Sequence, residues 1–338
     1  MSSGRARCDA RCAAPLAARS ILQYRTSGHI ASAVLAIGGD NEAARYAPMP
    51  AKPRTPLVVC ADDYALTPGV SRGIRELIAA GRISATSVMT VCPWWREEAA
   101  ALSEVAGAAD IGLHLTLTDQ KPLGAMPTFA PAGRLPRVDR LVRASLLGRL
   151  PGAEIEAEIE RQLVAFVDIW KRPPAHIDGH HHVHQLPGVR RALFRALERA
   201  GAGRPKYLRS CHETPARIIA RGVASSKALV ISTLGLNFAR AARRRGFALN
   251  DGFSGVYDLA TRQHVGDLFA RFIRNLGPRP LAMCHPGYSD ASLAELDPMT
   301  EQRDVERIFL AGDEWPRLLE SAGVAVAPFG AFGVALDG

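Results

Sequence analysis

The sequence lacks several features that would assign it quickly to a class. It has no run of about 18 uninterrupted apolar residues, which argues against a membrane-spanning helix. Its six cysteines show no close, regular pairing, so a reducing compartment is a simpler interpretation than a disulfide scaffold. We find no internal repeat, RNP motif, zinc-finger spacing or basic-aromatic stripe, so no motif supports nucleic-acid binding.

The composition is that of an ordinary globular protein. The chain has 338 residues, of which 47% are hydrophobic and 22% charged, and its formal net charge is +9. Residues 1–54 contribute +5 of that charge, and the remaining 284 residues contribute +4. Because the basic excess is largely a property of the N-terminal segment, we expect no nucleic-acid partner.

Residues 1–54 differ from the rest of the chain. They are rich in Ala, Arg and Ser and have weak hydrophobic periodicity. We interpret them as a disordered tail or an over-long start, with Met49 as an alternative first residue. A transit peptide is the competing interpretation, because the segment is rich in Arg and poor in acids. We expect residues 55–338 to form a single (β/α)-barrel domain, and a chain that begins at Met49 to keep its fold and activity.

From Thr55 onward, short apolar strands alternate with helices. The pattern predicts strands at Leu57–Ala61, Ser84–Cys92, Ile111–Leu117, His176–Asp178, Lys206–Cys211, Leu281–Cys284 and Val324–Ala327. It predicts helices from the Thr67 N-cap to Gly81, at Trp94–Val105, around Ile155–Trp170, at Val189–Ala200, through most of 213–246 and at Gln302–Ser321. Pro122–Arg137 is expected to be a long loop near a site. This alternation favours an α/β fold, a distorted TIM-like (β/α) barrel. A doubly wound sheet is the alternative, although no glycine-rich phosphate motif follows the first strand.

Polar residues are concentrated where the predicted strands end. The first strand ends in Asp62-Asp63, the third carries His114, the fourth leads into His180-His181-His182-Val183-His184, and a late strand ends in His285. In a (β/α) barrel these positions converge on the C-terminal face. Each has a structural alternative: a helix cap or turn for the Asp pair, a packed histidine for His114, and a turn residue for His285. Metal-assisted hydrolysis needs metal ligands, a general base and a general acid. Two imidazoles with one carboxylate, a second carboxylate and a further histidine would supply these three functions.

Three motifs resemble the YdjC-like carbohydrate deacetylases, which include chitooligosaccharide and hopanoid-associated deacetylases. The motifs are Val58-Val59-Cys60-Ala61-Asp62-Asp63-Tyr64, Gly112-Leu113-His114-Leu115-Thr116-Leu117 and His176-Ile177-Asp178-Gly179-His180-His181-His182-Val183-His184. They occur in the family's order, and the resemblance runs from about Leu57 to Tyr288. Tyr64-Ala65 stands where the family usually has Phe-Gly.

The resemblance implies a (β/α)-barrel deacetylase and a role for each residue. Asp63, His114 and His180 would bind one divalent metal ion, which the family suggests is magnesium. Two imidazoles make zinc or manganese chemically credible as well. Asp62 would be the general base and His285 the general acid. Arg209 would orient a carboxylate or contact substrate, and His184 would contact substrate or support the metal ligands.

The expected reaction is hydrolysis of the N-acetyl group of an amino sugar, which releases acetate. The sugar is a chitooligosaccharide or a lipid-linked N-acetylglucosamine. Two alternatives remain open: an amidohydrolase-like barrel acting on another amide, whose His-x-His would normally follow the first strand, and a non-enzymatic metal-binding protein. We expect a cytoplasmic location without a transmembrane segment. Peripheral membrane contact and homo-oligomerisation are left open.

Overall fold

Eight strands form one sheet in the computed structural model, which describes residues 53–199, 202–258 and 263–333. The strands are β1 (Thr55–Tyr64), β2 (Ala85–Val88), β3 (Asp110–Leu115), β4 (His176–Gly179), β5 (Tyr207–Leu208), β6 (Phe253–Ser254), β7 (Leu281–Cys284) and β8 (Val324–Val326). Their order is β5-β4-β3-β2-β1-β7-β6, and β8 pairs with the start of β1. All these strand pairs are parallel. A parallel bridge between Leu208 and Leu249 links the chain before β6 to β5.

Eleven α-helices in the described residues connect the strands. They are α1 (Pro68–Ala79), α2 (Trp95–Ser103), α3 (Val138–Leu146), α4 (Gly152–Trp170), α5 (Val189–Arg199), α6 (Pro215–Arg221), α7 (Ser225–Arg243), α8 (Val265–Phe272), α9 (Ala291–Leu296), α10 (Glu301–Ala311) and α11 (Glu314–Ser321). A short 3₁₀ helix, His180–Gln185, follows β4. The predicted α/β class and distorted barrel are confirmed. None of the described helices has the length and apolarity that crossing a bilayer requires.

Local sequence explains where several elements begin and end. Thr67 caps α1 by accepting a hydrogen bond from the backbone N–H of Val70, and Pro68 occupies the first helical position. Residues Leu57–Ala61 of β1 are completely buried, as expected for a parallel strand covered on both faces. Trp95 of α2 stacks on Phe166 of α4 with ring centroids 5.7 Å apart. The core therefore lies on both sides of the sheet.

Some elements differ from their predictions. β2 and β5 are shorter than predicted, and the helix predicted at Gln302–Ser321 is two helices interrupted near Gly312. The patterns missed β6, α3, α8 and α9, which are short, although α3 and α8 each carry a clear apolar side. The described residues belong to one compact unit. Apart from Pro53 and Arg54, the predictions for residues 1–54 lie outside the described residues, so they and the domain boundary stay predictions.

Candidate metal and catalytic site

The end of β1 brings two adjacent carboxylates to one site. On a regular strand Asp62 and Asp63 would point to opposite faces of the sheet. Here the register of β1 against β2 shifts between Ala61 and Tyr64, and Asp63 takes a left-handed conformation with φ of 68°. Aspartate tolerates this conformation better than most residues. The irregular turn therefore lets both carboxylates enter the same buried region.

Asp63, His114 and His180 form a compact group of potential metal ligands. Asp63 Oδ1 lies 3.2 Å from His114 Nε2 and 3.0 Å from His180 Nδ1. One ligand atom from each residue lies within 4.8 Å of the others, so the group could hold a metal ion. Ligand atoms about 3 Å apart suit neighbouring positions around an ion with bonds of about 2.1 Å. The structure thus brings together the three residues that the sequence suggested as ligands.

Asp178 orients the His114 ring. His114 and Asp178 are register partners in the β3–β4 pair, and His114 Nδ1 lies 2.6 Å from Asp178 Oδ1. In the neutral ring, a proton on Nδ1 donated to Asp178 leaves the Nε2 lone pair facing Asp63 Oδ1. Two acceptors then face each other, an arrangement that a bound cation between them would stabilise. The donor set therefore fits a divalent metal.

The charges around His114 act strongly on its proton. Burial alone lowers the pKa of His114, but the carboxylates of Asp178 and Asp62 outweigh it and raise that pKa to about 10. Burial has the opposite effect on a carboxylate and raises the pKa of Asp63, but the Arg303 guanidinium and His180 hold that pKa well below its usual range. The site without a metal thus stores an extra proton on His114, which a bound metal would replace.

Arg209 is enclosed between two carboxylates. Its Nη1 and Nη2 donate to Asp62 Oδ1 and Oδ2 at 2.7 and 2.8 Å, and Nη2 lies 2.9 Å from Asp178 Oδ2. The side chain is fully buried. In this structure the Arg209 guanidinium holds the Asp62 and Asp178 carboxylates, and its predicted contact with substrate stays a prediction. Two other groups of potential metal ligands contain Asp178: one with Cys60 and His176, the other with Asp62 and His114. The positive charge of Arg209 disfavours a metal ion at both.

His184 also lies away from solvent. Its ring is fully buried, and Nε2 lies 2.9 Å from the backbone carbonyl of Arg209, to which it donates. Burial lowers the pKa of His184 to about 4, so the ring is neutral near pH 7. The ring packs edge-on against Phe238 of α7. His184 therefore supports the chain that carries Arg209, and its predicted contact with substrate stays a prediction.

His285 follows β7, whose last residue, Cys284, pairs with Ala61 of β1. It therefore lies beside the strand end that carries Asp62. Its backbone N–H donates to Glu306 Oε2 at 2.6 Å, and its buried Nδ1 has no hydrogen-bond partner among the described residues. His285 therefore lies next to the site, and its role as general acid stays a prediction.

Helix α10 contacts the site at two places, Asp63 and the backbone of His285. Glu306 holds the backbone at His285, while Arg303 Nη2 lies 2.6 Å from Asp63 Oδ2 and 2.5 Å from Asp297 Oδ2. The Arg303 side chain is fully buried. Sequence reasoning assigned no role to Asp178, Arg303 or Glu306. Asp178 lies inside the third motif, His176–His184. No sequence pattern within residues 301–311 indicates that α10 reaches the site.

The comparisons with known proteins agree with these motifs. Residues 56–321 match the family model described as YdjC-like protein. The chain belongs to the YdjC-like family. The resemblance inferred from the three motifs is therefore confirmed.

Two relatives show how much of the chain is matched. A chitooligosaccharide deacetylase of Serratia marcescens is 42% identical over 134 residues, which cover 39% of this chain and 52% of that protein. A carbohydrate deacetylase of Mus musculus is 29% identical over 255 residues, which cover 70% of this chain and 79% of that protein. The chain thus spans about half the length of the chitooligosaccharide deacetylases that it matches.

A solved structure supports the fold of this YdjC-like protein. A proposed cellobiose-phosphate cleavage protein from Enterococcus faecalis superposes with a TM-score of 0.61 at 21% identity. The match covers 82% of this chain and 98% of that chain. At this identity the similarity is evidence for the fold alone.

Proposed function

We propose that this YdjC-like protein is a metal-dependent carbohydrate N-deacetylase that releases acetate from an N-acetylated amino sugar. The observation that carries the proposal is the convergence of Asp63, His114 and His180 next to the Asp62–Arg209 pair. The names of the relatives give the substrate class. A chitooligosaccharide and a lipid-linked N-acetylglucosamine are the two substrates to compare.

Asp63, His114 and His180 would hold the metal. When bound, the ion would lower the pKa of a coordinated water and stabilise negative charge on the acetamide oxygen. The family resemblance suggests magnesium, while the two imidazoles also suit zinc or manganese. The buried Asp178 carboxylate keeps the His114 lone pair directed at the ligand group.

Asp62 is the proposed general base. Arg209 donates to both of its carboxylate oxygens, and Ser87 Oγ lies 3.3 Å from Oδ1. A carboxylate has about four lone-pair positions, so these three donors leave one on Oδ2 to take a proton from water. Arg209 also fixes the orientation of the carboxylate, which removes the entropy cost of aligning it.

His285 is the proposed general acid. An amine leaves poorly unless it is protonated as the C–N bond breaks, and the metal ligands cannot readily supply that proton. The unpartnered Nδ1 of His285 and the anchored backbone beside it suit this task. Imidazole is a common proton donor in enzyme active sites.

We further propose a cytoplasmic location for the enzyme. The four cysteines of the described residues, Cys60, Cys92, Cys211 and Cys284, are all free thiols and all buried. Free thiols are typical of a reducing compartment. Fractionation of cells that produce the tagged chain would test this.

The test is acetate release by the full chain after its metals have been removed with a chelator. Magnesium, manganese or zinc is added back singly, and soluble N-acetylglucosamine oligomers are compared with a lipid-linked N-acetylglucosamine. Free amine should form in equal amount to acetate. Asp62→Asn is the matched control, because it leaves the three proposed ligands in place and should lower turnover about 10²–10⁴-fold.

Two outcomes would contradict the proposal. One is the absence of acetate release from every N-acetylated sugar with every metal, by protein whose thermal unfolding is normal. The other is a folded Asp62→Asn variant with unchanged turnover. Loss of bound metal in that variant would instead exchange the roles of Asp62 and Asp63.

A further inference from the structure

Helix α3 and the residues after it expose a contiguous apolar surface. Leu146 and Leu147 are 64% and 53% exposed, and Val138 and Val142 lie beside them, half-buried. The inner side of α3 is formed by Leu141 and Ser145. The outer side is an open surface formed by Val138, Asp139, Val142, Arg143, Leu146 and Leu147. Single exposed apolar residues are common, but a contiguous group suggests a contact surface.

The charge around these leucines is strongly positive. Between residues 133 and 150 there are five arginines and one acid, Asp139. All five are exposed: Arg134, Arg137, Arg140, Arg143 and Arg149. Only Arg137 has an ion pair among the described residues, with Nε 3.5 Å from Asp139 Oδ1. We call residues 133–150 the α3 surface. Its other arginines are therefore available to an anionic partner.

The α3 surface borders the candidate site. Helix α3 packs against the 3₁₀ helix His180–Gln185, which begins with a proposed metal ligand. The segment that leads to α3 is joined to the loop after β3, because the Leu135 N–H donates to the Gln120 carbonyl at 2.8 Å. Nearby, Thr118 Oγ1 lies 2.9 Å from His181 Nδ1. Whatever covers the α3 surface will therefore lie close to the rim of the site.

We propose that the α3 surface docks on an anionic lipid membrane. Exposed leucines beside a dense set of arginines match the two attractions that hold a peripheral helix at a bilayer, apolar insertion and binding of anionic head groups. A second copy of this chain fits less well. A two-fold interface would place one arginine-rich surface against another, and like charges across an interface oppose association.

The proposal does not depend on the proposed deacetylation, because membrane binding is measured without turnover. The full chain is sedimented with vesicles of phosphatidylcholine alone and with vesicles that also contain phosphatidylglycerol. We expect binding to the anionic vesicles that weakens as salt rises. The double variant Arg140→Gln/Arg143→Gln should lower the partition coefficient about 25-fold, since each arginine near such a surface contributes about fivefold.

A second variant tests the apolar part of the surface. Leu146→Ser/Leu147→Ser should also weaken binding, and it should fold normally because both side chains are already exposed. Ile219→Ser is the matched control, because Ile219 is equally exposed at 64% but lies on α6, outside the α3 surface. It should bind vesicles as the unchanged chain does.

Three results would overturn the proposal. The first is no binding to anionic vesicles at low salt. The second is an equal loss of binding in Ile219→Ser and in the leucine variant. The third is that light scattering shows a dimer, that the leucine variant is monomeric, and that the unchanged chain does not bind vesicles. This result would assign the α3 surface to a second copy of the chain.

Discussion

The interaction between His114 and Asp178 can be tested by an isosteric change, Asp178→Asn. The His114 Nδ1–Asp178 Oδ1 distance is 2.6 Å, and both side chains are buried. The carboxylate can only accept there, so it holds the proton of neutral His114 on Nδ1 and leaves Nε2 free to ligate. An asparagine can turn its amide N–H toward Nδ1, which favours the opposite tautomer and places a proton where the metal would bind.

The expected loss of metal affinity follows from this geometry. Removing a carboxylate that orients a metal-binding histidine typically costs 10–100-fold in affinity, which corresponds to about 1.4–2.8 kcal/mol. The fold should survive, because the asparagine oxygen can still accept from Arg209 Nη2 and Arg209 keeps both of its hydrogen bonds to Asp62. Metal affinity is measured by competition with a chelating dye, and folding by thermal unfolding.

Ser87→Ala is the matched control for Asp178→Asn. Ser87 Oγ lies 3.0 Å from the same His114 nitrogen but carries no charge, so its removal should lower metal affinity less than tenfold. A folded Asp178→Asn protein that binds metal within twofold of the unchanged chain would refute the reasoning. An equal loss in both variants would refute it as well, since the effect would then not depend on the carboxylate.

Three other predictions follow from the site. His285→Ala should slow hydrolysis of an N-acetyl sugar far more than that of an activated O-acetyl ester, because only the amine needs a proton to leave; equal losses in the two rates would point to positioning. Arg303→Met leaves Asp63 and Asp297 without their buried cation and should lower the free energy of unfolding by about 3–5 kcal/mol, with partial recovery in Arg303→Lys; denaturant unfolding that shows a loss under about 1 kcal/mol would contradict it. Without metal, the raised pKa of His114 contributes stability that is complete below about pH 6.5 and is lost as the pH rises toward about 10. Bound metal should abolish that decline, and an identical pH profile with and without metal would argue against His114 as a ligand.

Much of the fold could be predicted because its determinants are local. The apolar run at Leu57–Ala61 and the Thr67-Pro68 helix start are each specified by a few neighbouring residues, and both are observed. The alternation of strands and helices was enough to predict a parallel barrel. The three motifs were long enough to identify the family, which the family model confirms. Two-residue strands such as β6 contain too little sequence to show a period.

The candidate site was predictable only in part. Strand ends of a parallel barrel meet on one face, so the sequence could suggest that Asp63, His114 and His180 gather there. Their roles stay predictions, although the structure places their ligand atoms together. The family resemblance points to Arg209, but the sequence gives no sign of its burial between Asp62 and Asp178. The reason is that burial depends on what packs over a residue, which strand periodicity does not report.

The sequence by itself determined most of the longer elements, the parallel barrel, the family and the set of polar strand ends. Only the tertiary structure decided that Asp62 and Asp63 face the same site, through a left-handed turn at Asp63. It also brought Arg303 to Asp63 across 240 positions of the chain. Periodicity and capping are set by neighbours within a few residues. Contacts between buried charges depend on how distant helices and strands pack, so they become visible only when the chain is folded.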